Sequence, residues 1–308
     1  MTRPRAAPKA RYTMRASPIF LAILGIAFLS AMDAAVKVLA LQDTALTATW
    51  LRFAFGTIVT LPLLYFARHA MPDREAIRAH TLRGVMIAAM SICFFYAISI
   101  LSLAETITLA FIAPLIVPPL AALFLKEKMR GNVLLAAIAG FAGVVVTVQG
   151  ADDSASGGAR NLAIAAVLAS AVIYAVQTMI LRSRAQRDNP LVIAVFGTVV
   201  PLLVLTPLAL TLGPLPGQDA LIPGLAAGLL GLGGILSLIY AYARAEAQVL
   251  IVFEYTGLLW ATLLGWVMFQ EEPRIEIYIG AAIIAGACLY IAWNERGPSK
   301  TRQKKSAF

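Results

Sequence analysis

Long apolar runs separated by short polar segments set the pattern of this chain, and ten of the runs are long enough to cross a lipid bilayer. A bilayer core about 30 Å thick needs about twenty apolar residues as a helix, because backbone N–H and C=O groups cannot be left unpaired in hydrocarbon. The predicted spans cover residues 18–41, 45–67, 84–102, 103–125, 132–149, 162–181, 191–212, 221–243, 249–269 and 277–293. Their connections are short, which leaves no room for a soluble catalytic or regulatory domain. Composition agrees: 60% of the 308 residues are hydrophobic and 13% charged. A soluble domain with a mean hydropathy of +0.82 could not keep a wettable surface.

The net charge of +9 matters through its distribution. Of the 25 Lys and Arg residues, 21 fall in one alternating set of connections and tails and 2, Arg160 and Arg274, in the other, with Lys37 and Arg52 inside spans. Basic loops near span ends stay cytoplasmic, so both termini are expected inside and the membrane is expected to be the bacterial inner (cytoplasmic) one. The same distribution argues against nucleic acid as a partner, since the basic residues do not gather on one face of a folded domain. The expected organisation is a cytoplasmic basic tail over 1–17, a first repeat over 18–150, a periplasmic linker over 151–160, a second repeat over 161–294, and a second basic tail over 295–308. Cys93 and Cys288 lie in apolar runs, where they read as small hydrophobes.

An internal repeat is visible. Ser30-Ala31-Met32-Asp33-Ala34-Ala35-Val36-Lys37 lies over Ser170-Ala171-Val172-Ile173-Tyr174-Ala175-Val176-Gln177, with four identities and no gap. Tyr96-Ala97 before Ala104-Glu105 is echoed by Tyr240-Ala241 before Ala245-Glu246, and Phe124 with Glu127 by Phe269 with Glu272. An odd number of spans in each half turns the second upside down relative to the first. The predicted fold is therefore all-α, ten transmembrane helices as two inverted five-helix repeats, an architecture found in secondary transporters.

At these residues the chain resembles the drug/metabolite transporter superfamily, in the branch built from two EamA domains. The resemblance is carried by Met32-Asp33-Ala34-Ala35-Val36-Lys37, Arg52-Phe53, Leu103-Ala104-Glu105 leading to Pro114-Leu115, Lys126-Glu127, Gly140-Phe141-Ala142-Gly143-Val144, and the run from Phe253-Glu254-Tyr255 to Trp260-Ala261. It covers about residues 18–293 and implies a bundle that opens alternately to either side around a central cavity. Members of the family export amino acids and drugs, and relatives import metabolites such as S-adenosylmethionine. The chain departs from its own symmetry at Glu254, which stands near the position that Pro114 holds in the first half.

A charge at mid-membrane costs roughly 2.5 to 3.5 kcal/mol on insertion scales, so it faces a cavity or a partner. Asp33, Lys37, Arg52 and Glu254 are the candidates. Asp33 and Lys37 share a helix face with Ser30, and the matching stripe on span six is Ser170, Tyr174 and Gln177. The Asp33 and Lys37 pair is either a neutralising ion pair or a zwitterion-binding group, and Arg52 is read as part of a structural charge network that reaches Asp33. Glu254 has no charged neighbour on its own helix, which makes it the better candidate for proton coupling, with Asp33 second. Tyr96, Tyr174, Tyr255 and Trp260 are the favoured aromatic wall residues, while Glu105 and Glu246 sit at span ends.

The expected substrate-binding set is Asp33, Lys37, Tyr96, Tyr174, Gln177, Glu254, Tyr255 and Trp260. The expected function is secondary active export of an amino acid or related small metabolite by alternating access, with import of a larger metabolite as the alternative. No cofactor or metal is expected, and the partners are the substrate and the lipid bilayer, with a monomer expected and a dimer as the alternative. An intramembrane enzyme fares poorly, since His69 and His80 share one basic connection and no nucleophile stands beside a base. The chain also has no phosphate-binding glycine loop to drive ATP-dependent pumping.

Overall fold

The computed structural model describes residues 17–67, 72–101, 103–126, 130–148, 158–214, 216–270 and 275–296, some by backbone alone. Residues 1–16 and 297–308 of the basic tails, His69, Glu127, Glu272, Arg274 and the side chain of Glu105 lie outside the described residues. Among those described there are twelve α-helices and no strand: α1 (Pro18–Gln42), α2 (Ala45–Phe66), α3 (Arg74–Ile100), α4 (Leu103–Ala110), α5 (Ala113–Leu125), α6 (Gly131–Val148), α7 (Gly158–Ala185), α8 (Pro190–Leu212), α9 (Leu221–Tyr242), α10 (Ala247–Leu250), α11 (Thr256–Phe269) and α12 (Ile275–Arg296). They make ten passes, because α4 with α5 and α10 with α11 are each one interrupted pass.

Seven of these passes are long and apolar enough to cross a membrane by length and composition. The α4–α5 pass, α6 and α12 carry shorter apolar stretches. Helix starts follow local chemistry: Thr44 Oγ1 accepts from Thr47 N (3.2 Å) and Asp73 Oδ1 from Ala76 N (2.7 Å), while Pro190 opens α8 behind the cap Asn189. The Asp73 cap corrects one expected boundary. It starts α3 at Arg74, ten residues before the apolar run, so His80 and Arg83 belong to a helix and are buried, not loop residues.

The two interruptions occupy matching places in the two repeats. Pro114 has no N–H and clashes with the turn before it, and the chain breaks at Phe111–Ile112 before α5 resumes with this proline in its first turn. In the second repeat Ile251–Tyr255 tightens into a 3₁₀ turn, with Thr256 Oγ1 donating to Phe253 O at 2.6 Å. The same passes end alike: Lys126 (φ 55°) and Gln270 (φ 56°) close α5 and α11 in the left-handed conformation.

Packing exchanges elements between the halves. The heaviest contacts pair α1 with α9 and α3 with α7, which the repeat interchanges, and α6 with α12 and α2 with α8, which it maps onto one another. Small residues make close crossings possible. A Cβ on Gly25 of α1 would lie 3.0 Å from Gly234 O, and one on Gly234 would lie 3.0 Å from Gly25 O, so the two backbones touch. The outer surface carries large apolar side chains such as Tyr65 (78% exposed) and Ile222 (83%), the composition of a lipid-facing wall.

Polar clamps gather at one end of the bundle. His80 Nε2 and Asp188 Oδ2 are 2.8 Å apart, and Arg184 reaches Glu75 at 2.8 Å, tying the start of α3 to the end of α7 and the turn into α8. Arg182 donates to Tyr242 O, and Arg130 pairs with Glu246 at 3.0 Å. At the opposite end Thr47 Oγ1 donates to Pro214 O across the α1–α2 and α8–α9 connections.

Candidate functional site

Between the repeats lies a cavity of about 210 Å³ whose wall takes Ser30 and Asp33 from α1, Arg52 from α2, Ser91 from α3, Ser170 and Tyr174 from α7, and Glu254 and Gly257 from the interrupted ninth pass. The stripes of α1 and α7 therefore meet across one space. Helical periodicity explains this locally: Ser30 and Asp33, like Ser170 and Tyr174, are three or four residues apart and share a face.

Glu254 projects from the 3₁₀ turn. Tyr174 Oη donates to its Oε1 at 2.5 Å and Tyr242 Oη to the same oxygen at 3.2 Å. Both hydroxyls go to one oxygen, so among the described residues Oε2 has no protein donor, and the residue lines the cavity. Arg52 enters from the other side, with Nη1 3.4 Å from Ser91 Oγ and the guanidinium stacked over Phe53 (4.8 Å) and Phe95 (5.4 Å). Arg52 and Asp33 act on one another electrostatically through the shared space. Charges of both signs thus face one void in an otherwise apolar bundle, an arrangement that can hold a ligand bearing both signs.

A second cavity, of about 100 Å³, adjoins the first and shares Leu29, Arg52, Met90, Tyr174 and Leu238 with it. Gln177 lies here, not in the larger space. Its Oε1 accepts from Arg83 Nε at 3.0 Å, and its Nε2 donates to Thr178 Oγ1.

The other expected residues lie outside the lining of both cavities. The Lys37 ammonium sits over the Phe269 ring at 5.0 Å, and among the described residues no ion pair joins it to Asp33. Tyr255 is fully buried, donates to Ala137 O at 2.8 Å, and stacks edge-on with Phe111. It fixes the ninth pass to α6: a Cβ on Gly140 would meet its ring at 2.4 Å. Trp260 packs on the main core with Nε1 buried and unpaired among the described residues, and Tyr96 packs beside Ala97, Leu101, Ala163 and Val167.

Sequence reasoning missed Arg83, Ser91 and Tyr242. For Arg83 a signal existed: Arg83, Ile87, Met90, Ser91 and Phe94 follow helical spacing, so the polar stripe of α3 was legible once α3 was extended. Tyr242 gave none, because its link to Glu254 depends on how the end of α9 folds against the 3₁₀ turn.

Comparison with known proteins fits this geometry. The pseudopaline exporter CntI of Pseudomonas aeruginosa is 28% identical over 291 residues, covering 91% of this chain and 98% of that protein. A riboflavin transporter of Rhizobium johnstonii is 30% identical over 285 residues, 90% of this chain and 91% of that one. An S-adenosylmethionine uptake transporter of Rickettsia bellii is 24% identical over 276 residues, 89% and 92% of the two chains. A solved crystal structure shares the fold at a TM-score of 0.74 and 21% identity, over 91% of this chain and 99% of the other. The model of the EamA-like transporter family matches twice, over residues 16–149 and 161–293. Matched twice along nearly its whole length, this multi-pass membrane protein belongs to the EamA-like transporter family of the drug/metabolite transporter superfamily.

Proposed function

We propose that the chain is a secondary active transporter of the bacterial inner membrane, with both termini cytoplasmic, that exports an amino acid or related small zwitterionic metabolite by alternating access. One observation carries the reading: Asp33, Glu254 and Arg52, charges of both signs, line a single cavity walled by both repeats. A carboxylate pair suits the ammonium of such a substrate and a guanidinium suits its carboxylate, while polar groups on two bodies that can rock against each other suit release to alternate sides. Glu254 is the coupling residue in this scheme. Its free oxygen can take a proton while the two tyrosines hold the carboxyl in place.

The test is counter-flow of labelled amino acids in proteoliposomes, with and without a pH gradient. Asp33→Asn and Glu254→Gln are expected to abolish transport in folded, monodisperse protein, and Glu254→Gln to remove its response to the gradient. Lys37→Ala, outside the cavity lining, is expected to transport. Normal transport by both carboxyl variants sinks the site, and ohmic single-channel current in place of saturable counter-flow sinks the carrier. Import of a larger metabolite is the second reading, favoured by relatives named as uptake transporters; inward flux of such a compound against its gradient would establish it.

A further inference from the structure

We propose that the smaller cavity is an anion subsite in which Arg83 and Arg52 seat a carboxylate of the substrate, so that the transported molecule is an extended zwitterion with its carboxylate well separated from its ammonium. The inference rests on the transport reading for the substrate but stands on its own geometry.

Arg83 is 2% exposed, deep in α3. A neighbouring helix shows what a buried guanidinium held for structure looks like. Arg184 pairs with Glu75 at 2.8 Å and has Asp188 at 3.8 Å. Arg83 has no such partner among the described residues. Among the described residues its hydrogen bond goes to the neutral Gln177 Oε1, and no carboxylate lies within ion-pair distance. Among the described residues, the polar and ring contacts of the Arg52 guanidinium go to Ser91, Phe53 and Phe95. Both guanidiniums line the smaller cavity, and among the described residues no acidic side chain does.

Two cations facing one desolvated void that no described acidic side chain lines repel each other and favour an anion there, Asp33 acting on Arg52 from the larger cavity. A guanidinium fork suits a carboxylate, which it meets with two parallel hydrogen bonds. Shape supports the same assignment. The acidic side chains Asp33 and Glu254 line the larger cavity only, Arg83 the smaller only, and Arg52 both. A ligand spanning them meets carboxylates at one end and guanidiniums at the other. Together the cavities reach the lower edge of the roughly 300–1,000 Å³ range of small-molecule sites.

Thermal unfolding of the purified full chain in detergent, titrated with ω-amino carboxylates of increasing length, dicarboxylates and the matching diamines, tests this. In the parent, dicarboxylates and the longer amino acids are expected to raise the midpoint at lower concentration than glycine does. Arg83→Gln is expected to weaken apparent affinity for carboxylates by about 10- to 100-fold, the usual range for losing a charge-assisted bond, while the diamine response persists. Arg83→Lys is expected to recover part of the loss.

A second variant reaches the site without touching either arginine. A Cβ on Gly197 would lie 3.4 Å from Arg83 Nη1, so Gly197→Asp sets a tethered carboxylate beside the guanidinium. It is expected to abolish the carboxylate response. Carboxylates that leave the parent unmoved, or that bind Arg83→Gln and Gly197→Asp as tightly as the parent, overturn the subsite. Because binding is read without flux, a chain that binds carboxylates yet shows no counter-flow sinks the transport reading and leaves the subsite standing. Counter-flow that persists while Arg83→Gln binds normally does the reverse.

Discussion

At the scale of single residues, the clearest consequence follows from the two hydroxyls on one carboxylate oxygen. Tyr174→Phe removes the shorter of the two donors to Glu254 and leaves Tyr242 as its sole tyrosine partner. A hydrogen bond to a charged group contributes about 1.5–3 kcal/mol, so a drop of about 10- to 100-fold in transport is expected, with Tyr242→Phe milder. Counter-flow rates at saturating substrate check the order of the two. Tyr255, beside Glu254 in sequence, behaves differently because its hydroxyl is spent on Ala137 O and its ring fills the space above Gly140. Gly140→Ala forces a Cβ to within 2.4 Å of that ring and is expected to cost about 1–3 kcal/mol of stability, read as a lower unfolding midpoint. The sequence singled out Asp33, Tyr174 and Glu254 because a polar side chain in an apolar run is conspicuous. It could not separate them from Lys37, Tyr255 and Trp260, which are equally conspicuous and turn to other neighbours.

At the scale of elements, the interrupted fourth and ninth passes carry the asymmetry between the halves. A proline sits in the first turn of α5, whereas the second repeat has no proline at its 3₁₀ turn and places Glu254 there. A break at Pro114 was only partly legible in the sequence: its ring lacks an N–H, but so do those of Pro62, Pro118, Pro119, Pro201 and Pro207, which lie inside helices. The 3₁₀ turn was not, because none of Ile251 to Tyr255 forbids an α-helix and only packing against the rest of the bundle selects the tighter form. The left-handed caps offer a test at this scale. A left-handed non-glycine residue costs about 1–2 kcal/mol, so Lys126→Gly and Gln270→Gly are each expected to raise the unfolding midpoint, by an amount reduced by the extra chain freedom of glycine when unfolded. A lowered midpoint in both would mean that these side chains hold the caps by contacts worth more than the strain.

For the whole molecule, polar clamps tie α3 to α7 and the turn into α8 at the His80–Asp188 and Arg184–Glu75 end. The proposed alternating access requires that end to part. Joining Glu75→Cys to Arg184→Cys with a short bifunctional thiol reagent, in a background with Cys93 and Cys288 replaced, is expected to stop counter-flow, and a reducible linker to restore it on reduction. Unimpaired transport by the linked protein would show that α3 and α7 need not part. Length, apolar periodicity and the placement of Lys and Arg were enough to establish a ten-pass helical membrane protein with an internal repeat, because the bilayer imposes those patterns on any chain that crosses it. They also marked every charge inside the predicted spans. Which charges share a void was decided only in three dimensions. Helix periodicity states which residues lie on one face, but which faces meet depends on backbone contacts between distant segments, such as Gly25 against Gly234, and on a cap at Asp73 that carries Arg83 into the interior.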